Sequence, residues 1–306
     1  MLSFSTCWNS SRHTDGEVMV DEILSLGVDT IEISHGLKVS LLPGIRKAFQ
    51  AGRIKVSGVH NFCPSPVELM IDAPDAYEFT SHRPHDRERA MALTLKTIET
   101  AAEYHAKYVV LHLGTVPMGK PSSKLTDMVV EGKLNSRKYV REKLKMIRTR
   151  EGLSRLYFGR AREALAKIAE HAEKFGVPVA IESRSHYEQV PNEREMVPLM
   201  EEFASPWVGY WHDFGHVQLK HNLGLLDHVE WLEAISPHLI GGHVHDVQWP
   251  ARDHRTPFSG TLDYAALLKF FPAGCPLIWE LSPTREAVEI RQALARWKNE
   301  FPDRAS

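Results

Sequence analysis

The sequence predicts an α/β protein, a (β/α)8 barrel with a helical insertion after the fourth strand. Three observations carry this. Eight short runs rich in apolar and β-branched residues are spread along the chain, and longer segments with a 3.6-residue apolar period separate them. The Gly-rich first turn that usually opens a doubly wound sheet is missing, and such a sheet would rarely need eight strands. Neither a repeat of solenoid period nor a low-complexity linker interrupts the 306 residues, so 1–306 reads as a single domain.

The elements follow in order. The first strand is Leu2–Cys7, with a helix from about Gly16 to Leu26. Thr30–Ser34 is the second strand, followed by a helix over Pro43 to Ala51. Lys55–His60 is the third, and the next helix runs from Arg87 to Tyr104, with Ala90, Leu93, Leu95, Ile98 and Ala101–Ala102 along one side. Tyr108–Leu113 is the fourth strand. The segment from Gly119 to Tyr157 is too long for a loop and predicts one or two extra helices. A helix over Arg160 to Phe175 carries Ala164, Leu165, Ile168, Ala169 and Ala172 on one face, and Gly176 is its stop signal. Pro178–Ser183 is the fifth strand, with a helix from Arg194 to Phe203. Val208–Asp213 is the sixth, with a helix from Leu226 to Ile235. Leu239–His245 is the seventh, with a helix from Leu262 to Phe271. Leu277–Leu281 is the eighth, closed by a helix from Thr284 to Glu300.

Composition narrows the function. At 43% hydrophobic and 25% charged the chain is ordinary for a globular protein, and its formal net charge of −2 shows no general attraction to nucleic acid or anionic membrane. Cys7, Cys63 and Cys275 stand at no metal-type spacing, which argues for a reducing compartment. The segment MLSFSTCWNSSRHTDGE has no basic leader, and no run approaches a membrane span, so a cytoplasmic location is expected. Between Lys120 and Arg160 there are twelve Lys or Arg and four Asp or Glu. This basic stretch reads as a solvated helical hairpin, as an oligomer contact, or as a lid over an anionic ligand, since loops after strands lie on the catalytic face.

Seventeen histidines stand out, and their placement matters more than their number. In a parallel barrel the functional groups sit at the C-terminal strand ends. The third strand ends in GVHNF with His60, and the fourth in VVLHLG with His112. The fifth gives VAIESR with Glu182, and the sixth WHDFGH with Asp213 and His216. The seventh gives GGHVHD with His243, His245 and Asp246, and the eighth LIWELSP with Glu280. Carboxylates converging on a barrel mouth repel one another unless a cation compensates. A mixed carboxylate and imidazole set suits Zn, Mn, Co or Fe, while an all-oxygen set suits Mg. His243 and His245, two apart on a strand, both face the interior; His212 faces the helices.

At these residues the sequence resembles the xylose-isomerase-like TIM-barrel superfamily, which groups sugar isomerases and epimerases with endonuclease IV, an enzyme of apurinic-site DNA repair. The resemblance implies a divalent metal held by Glu182, Asp213, His243 and Glu280. The stretch LIGGHVHD matches the family's pattern of His, two residues, then Asp, which favours His243; epimerases with a His-x-His strand use the second histidine, which leaves His245 as the alternative. The Asp-x-x-His spacing of Asp213 and His216 is shared too. That histidine contacts substrate in epimerases and binds a further zinc in the nuclease. The stretch from His254 to Gly260 resembles the nuclease loop that supplies another histidine, although Asp253 here adjoins His254, where the nuclease has one residue between.

Two functions of different classes result. The first is a metal-dependent sugar or sugar-phosphate isomerase or epimerase, in which the ion polarises a carbonyl and Glu182 and Glu280 move the proton. His60, His112, His216, His245 and His254 would then contact substrate. So would Glu188, six residues beyond Glu182, which matches a substrate-contacting Glu of ketose epimerases. Arg252 and Arg255 could hold hydroxyls or a phosphate. The second is an endonuclease IV-like phosphodiesterase acting on abasic DNA, favoured by the extra imidazoles His60, His112 and His254. Against it, the chain reads ESRSHYEQ where the nuclease has Glu-Asn-Thr-Ala-Gly, and His112 is followed by Leu-Gly and not Pro-Gly. A barrel that binds a metabolite without turnover is the third reading. The expected partner is a small sugar or sugar phosphate, with nucleic acid only under the nuclease reading, no membrane, and a homo-oligomer possible.

Overall fold

In the computed structural model, which describes residues 2–66 and 75–304, eight parallel strands close into a barrel. They are β1 (Leu2–Ser5), β2 (Thr30–Ile33), β3 (Lys55–His60), β4 (Val109–Leu111), β5 (Val179–Glu182), β6 (Val208–Asp213), β7 (Leu239–Val244) and β8 (Leu277–Trp279). Each pairs with the next in sequence, and β8 pairs with β1. Alternate side chains point into the barrel, where Tyr108, Val110, Ala180, Trp211 and Ile278 form an inner cluster. Room for its two large rings comes from glycines on neighbouring strands. A Cβ on Gly58 would lie 2.0 Å from the Tyr108 ring, and one on Gly241 would lie 2.0 Å from that of Trp211.

The helices are α1 (Gly16–Leu24), α2 (Leu42–Gln50), α3 (Pro84–Glu103), α4 (Pro121–Val130), α5 (Arg137–Phe175), α6 (Glu193–Glu202), α7 (Phe214–Asn222), α8 (His228–Ile235), α9 (Tyr264–Leu267) and α10 (Ala287–Glu300). Among the described residues no helix is long and apolar enough to cross a membrane.

Outside the barrel, among the described residues, four short strands that the sequence does not signal pair antiparallel, Gly114–Thr115 with Gln189–Val190 and Asp246–Gln248 with Arg252–Arg255. Two helices also depart from the sequence expectation. The insertion and the helix expected over Arg160 to Phe175 are not separate: α5 is one helix of 39 residues. The Ser136 side chain caps its start by accepting from Tyr139 N, and Gly176, with φ of 68°, ends it. Gly152 and Gly159 weaken a helix by about 1 kcal/mol each but do not break it. The second departure is α7, a helix directly after β6 where the sequence shows no amphipathic stripe. It is buried on nearly every side, Phe214, His216, Gln218 and Lys220 included, so no 3.6-residue period marks it.

The insertion is pinned to the barrel. Arg150, buried on α5, donates to both carboxylate oxygens of Glu195 at 2.8 and 2.7 Å and to Gln189 O at 2.8 Å. Tyr139 OH donates to Leu223 O at 2.7 Å, and Tyr139, Met146, Leu125 and Met128 form a small core with Tyr187 and Leu223. Several of its cations already have partners: Lys124 pairs with Glu142 at 2.7 Å, and Lys143 donates to Gly224 O at 2.9 Å. Arg137, Arg141, Lys145 and Arg148 are exposed along α5.

Candidate metal centre and active site

The strand ends converge as parallel pairing requires. Asp213 on β6 lies in register with His243 on β7, and Ile278, two residues before Glu280, pairs with His243 from the other side. Ligand atoms of Glu182, Asp213, His243 and Glu280 all lie within 4.8 Å of one another, and all four residues are buried. His243 Nδ1 is 3.3 Å from Glu280 Oε2, 3.5 Å from Glu182 Oε1 and 3.7 Å from Asp213 Oδ2.

The two strand-seven histidines differ in their partners. His245 has both ring nitrogens engaged: Nδ1 accepts from His254 N at 2.9 Å, and Nε2 donates to Asp213, 2.9 Å from Oδ1. His243 has a free one. Its Nε2 faces Glu32 Oε1 at 3.2 Å, while Nδ1 is buried without a hydrogen-bond partner. Glu32, fully buried near the end of β2, lies outside the set the strand ends point to. A charged residue inside the β-branched run TIEI is its one sequence signal.

Asp213 also begins a helix. Its carboxylate caps α7 by accepting His216 N at 2.7 Å, which is why the Asp-x-x-His spacing brings the imidazole back over the cluster. His216 Nδ1 then sits 3.2 Å from Glu182 Oε1 and 3.1 Å from Ser183 O. The tight turn depends on Gly215, where a Cβ would lie 2.0 Å from the His245 ring.

A second layer surrounds Glu182. His60 Nε2 and His112 Nε2 approach its Oε2 at 3.2 and 2.7 Å. His112 Nδ1 is held by Asp75 at 2.8 Å, and Asp75 accepts from Arg184 at 2.7 Å. On the other side, ligand atoms of His216, His245 and His254 lie within 4.8 Å of one another. His254 stacks on His245 with centroids 4.2 Å apart, and its Nε2 is 3.6 Å from Glu280. Glu188 is buried and accepts from Ser122 Oγ of α4 at 2.5 Å, which ties the insertion to the loop after β5. Arg252 is exposed, and among the described residues no hydrogen bond or ion pair joins its side chain to the cluster. The His212 side chain faces outward, between Tyr210 OH at 2.9 Å and His228 at 3.0 Å.

The electrostatics show a cluster that demands positive charge. Burial alone would raise the Glu182 carboxyl, but His112, His216 and His243 outweigh it and hold it well below the usual carboxylate range. Burial is likewise overcome at Asp213 by His216 and His245, and at Glu280 by His243 and His254. Burial should strip His243 of a proton, yet the charges of Glu280 and Glu32 hold it well above the ordinary imidazole value. Three carboxylates therefore draw one proton onto the imidazole they surround. A divalent ion taking the place of that proton would serve the same need: the donor set is three carboxylates and one imidazole nitrogen directed among them, a mixture suited to Zn, Mn, Co or Fe. Beside Glu280 opens a cavity of about 280 Å³ lined by Cys7, His35, Asp253, His254 and Ser282.

A sequence profile described as xylose isomerase-like TIM barrel matches residues 20–299. No curated protein matches the chain in sequence. Among solved structures the chain is similar to a D-tagatose 3-epimerase-like protein, at 18% identity and a TM-score of 0.69, covering 100% of this chain and 99% of that one. It is similar to the 3-keto-D-glucoside 4-epimerase of E. coli, at 16% identity and a TM-score of 0.68 over 97% of this chain and 98% of that one. A zinc-bound IolI protein matches at 16% identity and a TM-score of 0.66, covering 98% and 96%.

Proposed function

This chain belongs to the xylose isomerase-like TIM barrel family, and on that premise we propose that it is a divalent-metal-dependent sugar or sugar-phosphate isomerase or epimerase acting by proton transfer at carbon. The observation that carries the proposal is the pair Glu182 and Glu280, on strands separated by β6 and β7, with His243 Nδ1 3.5 and 3.3 Å from the two carboxylates. The similarity to sugar epimerases supports the substrate class.

Glu182, Asp213, His243 and Glu280 are the residues that would hold the ion. When bound, it polarises a substrate carbonyl and the neighbouring hydroxyl so that the α-proton becomes acidic. Glu182, ionised, takes that proton, and Glu280, which must enter the turnover carrying a solvent-derived proton, returns one from the other side of the substrate. His60 and His112 fix the Glu182 carboxylate, and His112 is itself oriented by Asp75. His216 and His254, at the mouth, orient hydroxyls. His245 holds Asp213 in place.

Incubation of the metal-loaded protein with ketoses, aldoses and their phosphates in D2O is the test. Deuterium should enter the sugar at carbon, and Glu182→Gln and Glu280→Gln should each abolish exchange. No exchange into any sugar tried would reject the proposal. The convergence of His216, His245 and His254 favours a second reading, the endonuclease IV-like phosphodiesterase, because it offers imidazoles beyond a single centre. Cleavage of abasic duplex DNA without carbon-bound exchange, and several ions per chain, would select it.

A further inference from the structure

We propose that Glu32 is the positioning residue of the centre: its carboxylate fixes the tautomer and orientation of His243, so that Nδ1 is presented as a ligand. The inference rests on the reading of Glu182, Asp213, His243 and Glu280 as a metal site. An ionised carboxylate only accepts hydrogen bonds. Glu32 Oε1 lies 3.2 Å from His243 Nε2, so in the neutral ring that a metal ligand must be, Nε2 carries the proton and Nδ1 the lone pair. That Nδ1 is the buried atom without a hydrogen-bond partner, and it faces three carboxylates.

The ring has little freedom to turn. It stacks on His60 with centroids 5.7 Å apart and planes 9° apart, and it meets Trp211 edge-on at 5.3 Å. Glu32 is fixed in turn, because Tyr108 OH donates to its Oε2 at 3.1 Å. The floor of the barrel is built around that contact: Gly58 leaves the space the Tyr108 ring fills. A carboxylate buried this deeply costs several kcal/mol unless paired, and an apolar side chain would pack the same layer without that cost. Orienting the imidazole gives the charge a purpose, since a carboxylate on the far nitrogen also raises the basicity of the ligating one.

Competition with a chromophoric chelator for Zn²⁺ and Co²⁺, on wild type and Glu32→Gln, tests this. Glu32→Gln keeps the shape and should bind each ion about 10- to 100-fold more weakly, with unchanged stoichiometry and a shifted visible band in the cobalt form. Affinities within twofold of wild type and superimposable cobalt spectra would overturn the proposal. If Glu32→Gln does not fold, ¹⁵N spectra of the zinc-loaded wild type decide: a proton on His243 Nε2 supports the assignment, and one on Nδ1 overturns it. Wild type that takes up no divalent ion would remove the metal reading and this proposal with it, an outcome distinct from equal, tight binding by both proteins.

Discussion

Gly215→Ala places one methyl group against the imidazole that holds Asp213. The new Cβ would lie 2.0 Å from His245 Cε1 and 2.4 Å from Nδ1. The obstacle is not the loose end of a flexible chain. The ring is held at Nε2 by Asp213 and at Nδ1 by the backbone N–H of His254. Either the first turn of α7 moves, which strains the Asp213 cap, or His245 leaves its place. Overpacking of this kind costs about 1–3 kcal/mol, and a hydrogen bond to a charged group is worth about 1.5–3 kcal/mol. A loss of about 3 kcal/mol is therefore expected. With an unfolding entropy of about 2.1 cal/mol/K per residue over 306 residues, Tm should fall by about 5 °C. Calorimetry in the presence of chelator measures this free of any bound ion, and chelator competition should show metal affinity falling with it. Gly152→Ala is the control, because a Cβ there meets nothing within 4 Å and, within α5, should stabilise by about 1 kcal/mol. A Gly215→Ala protein that melts within 1 °C of wild type and binds metal equally would refute the reasoning.

Adding Zn²⁺ or Mn²⁺ at about 100 times its Kd should stabilise the fold by about 2.7 kcal/mol, and Glu182→Gln should lose the rise in Tm; equal shifts in both proteins would place the ion elsewhere. His228 is buried between His212 and Gln218, and burial, reinforced by His221, pushes its imidazole down to about 3. The unfolded chain binds that proton near the ordinary imidazole value while the folded chain refuses it, so stability is full above about pH 6.5 and declines as pH falls toward 3. The slope for one such group is at most about 1.4 kcal/mol per pH unit, and denaturant titrations from pH 7 to 4 should show it reduced in His228→Gln. Arg150→Ala removes the guanidinium from Gln189 O and Glu195, leaving the Glu195 carboxylate only the Asn192 N–H; breaking a buried pair costs about 3–5 kcal/mol, and this partly buried one should lie at or below the low end. Limited proteolysis should then cut the insertion well before the barrel, whereas unchanged resistance would mean that the small core around Tyr139 holds it alone.

Much of this molecule was readable from local pattern. Strand and helix periods gave the barrel because burial on one face leaves a period in the sequence, and the parallel topology placed His60, His112, Glu182, Asp213, His243 and Glu280 at one end. Where burial is all-round the pattern vanished: α7 has no polar stripe, so a helix with His216, Gln218 and Lys220 inside it left no trace. The length of α5 escaped for a different reason, since the polar composition of its first half suits a solvated hairpin as well as a continuous helix. Residue type and strand parity determined that His243 and His245 both face inward, but not which nitrogen each has free. That depends on hydrogen bonds from residues far away in the chain, Glu32 at a separation of 211 positions and Asp213 at 32. Asp75 and Arg184 are likewise joined only by the fold, across 109 residues. The sequence by itself determined which strand ends carry His, Asp and Glu and on which end of the barrel they lie, because strand alternation and topology are local rules. Only the tertiary structure decided how each is protonated, held and shared, because a proton's place on an imidazole is set by the partners that packing brings to it.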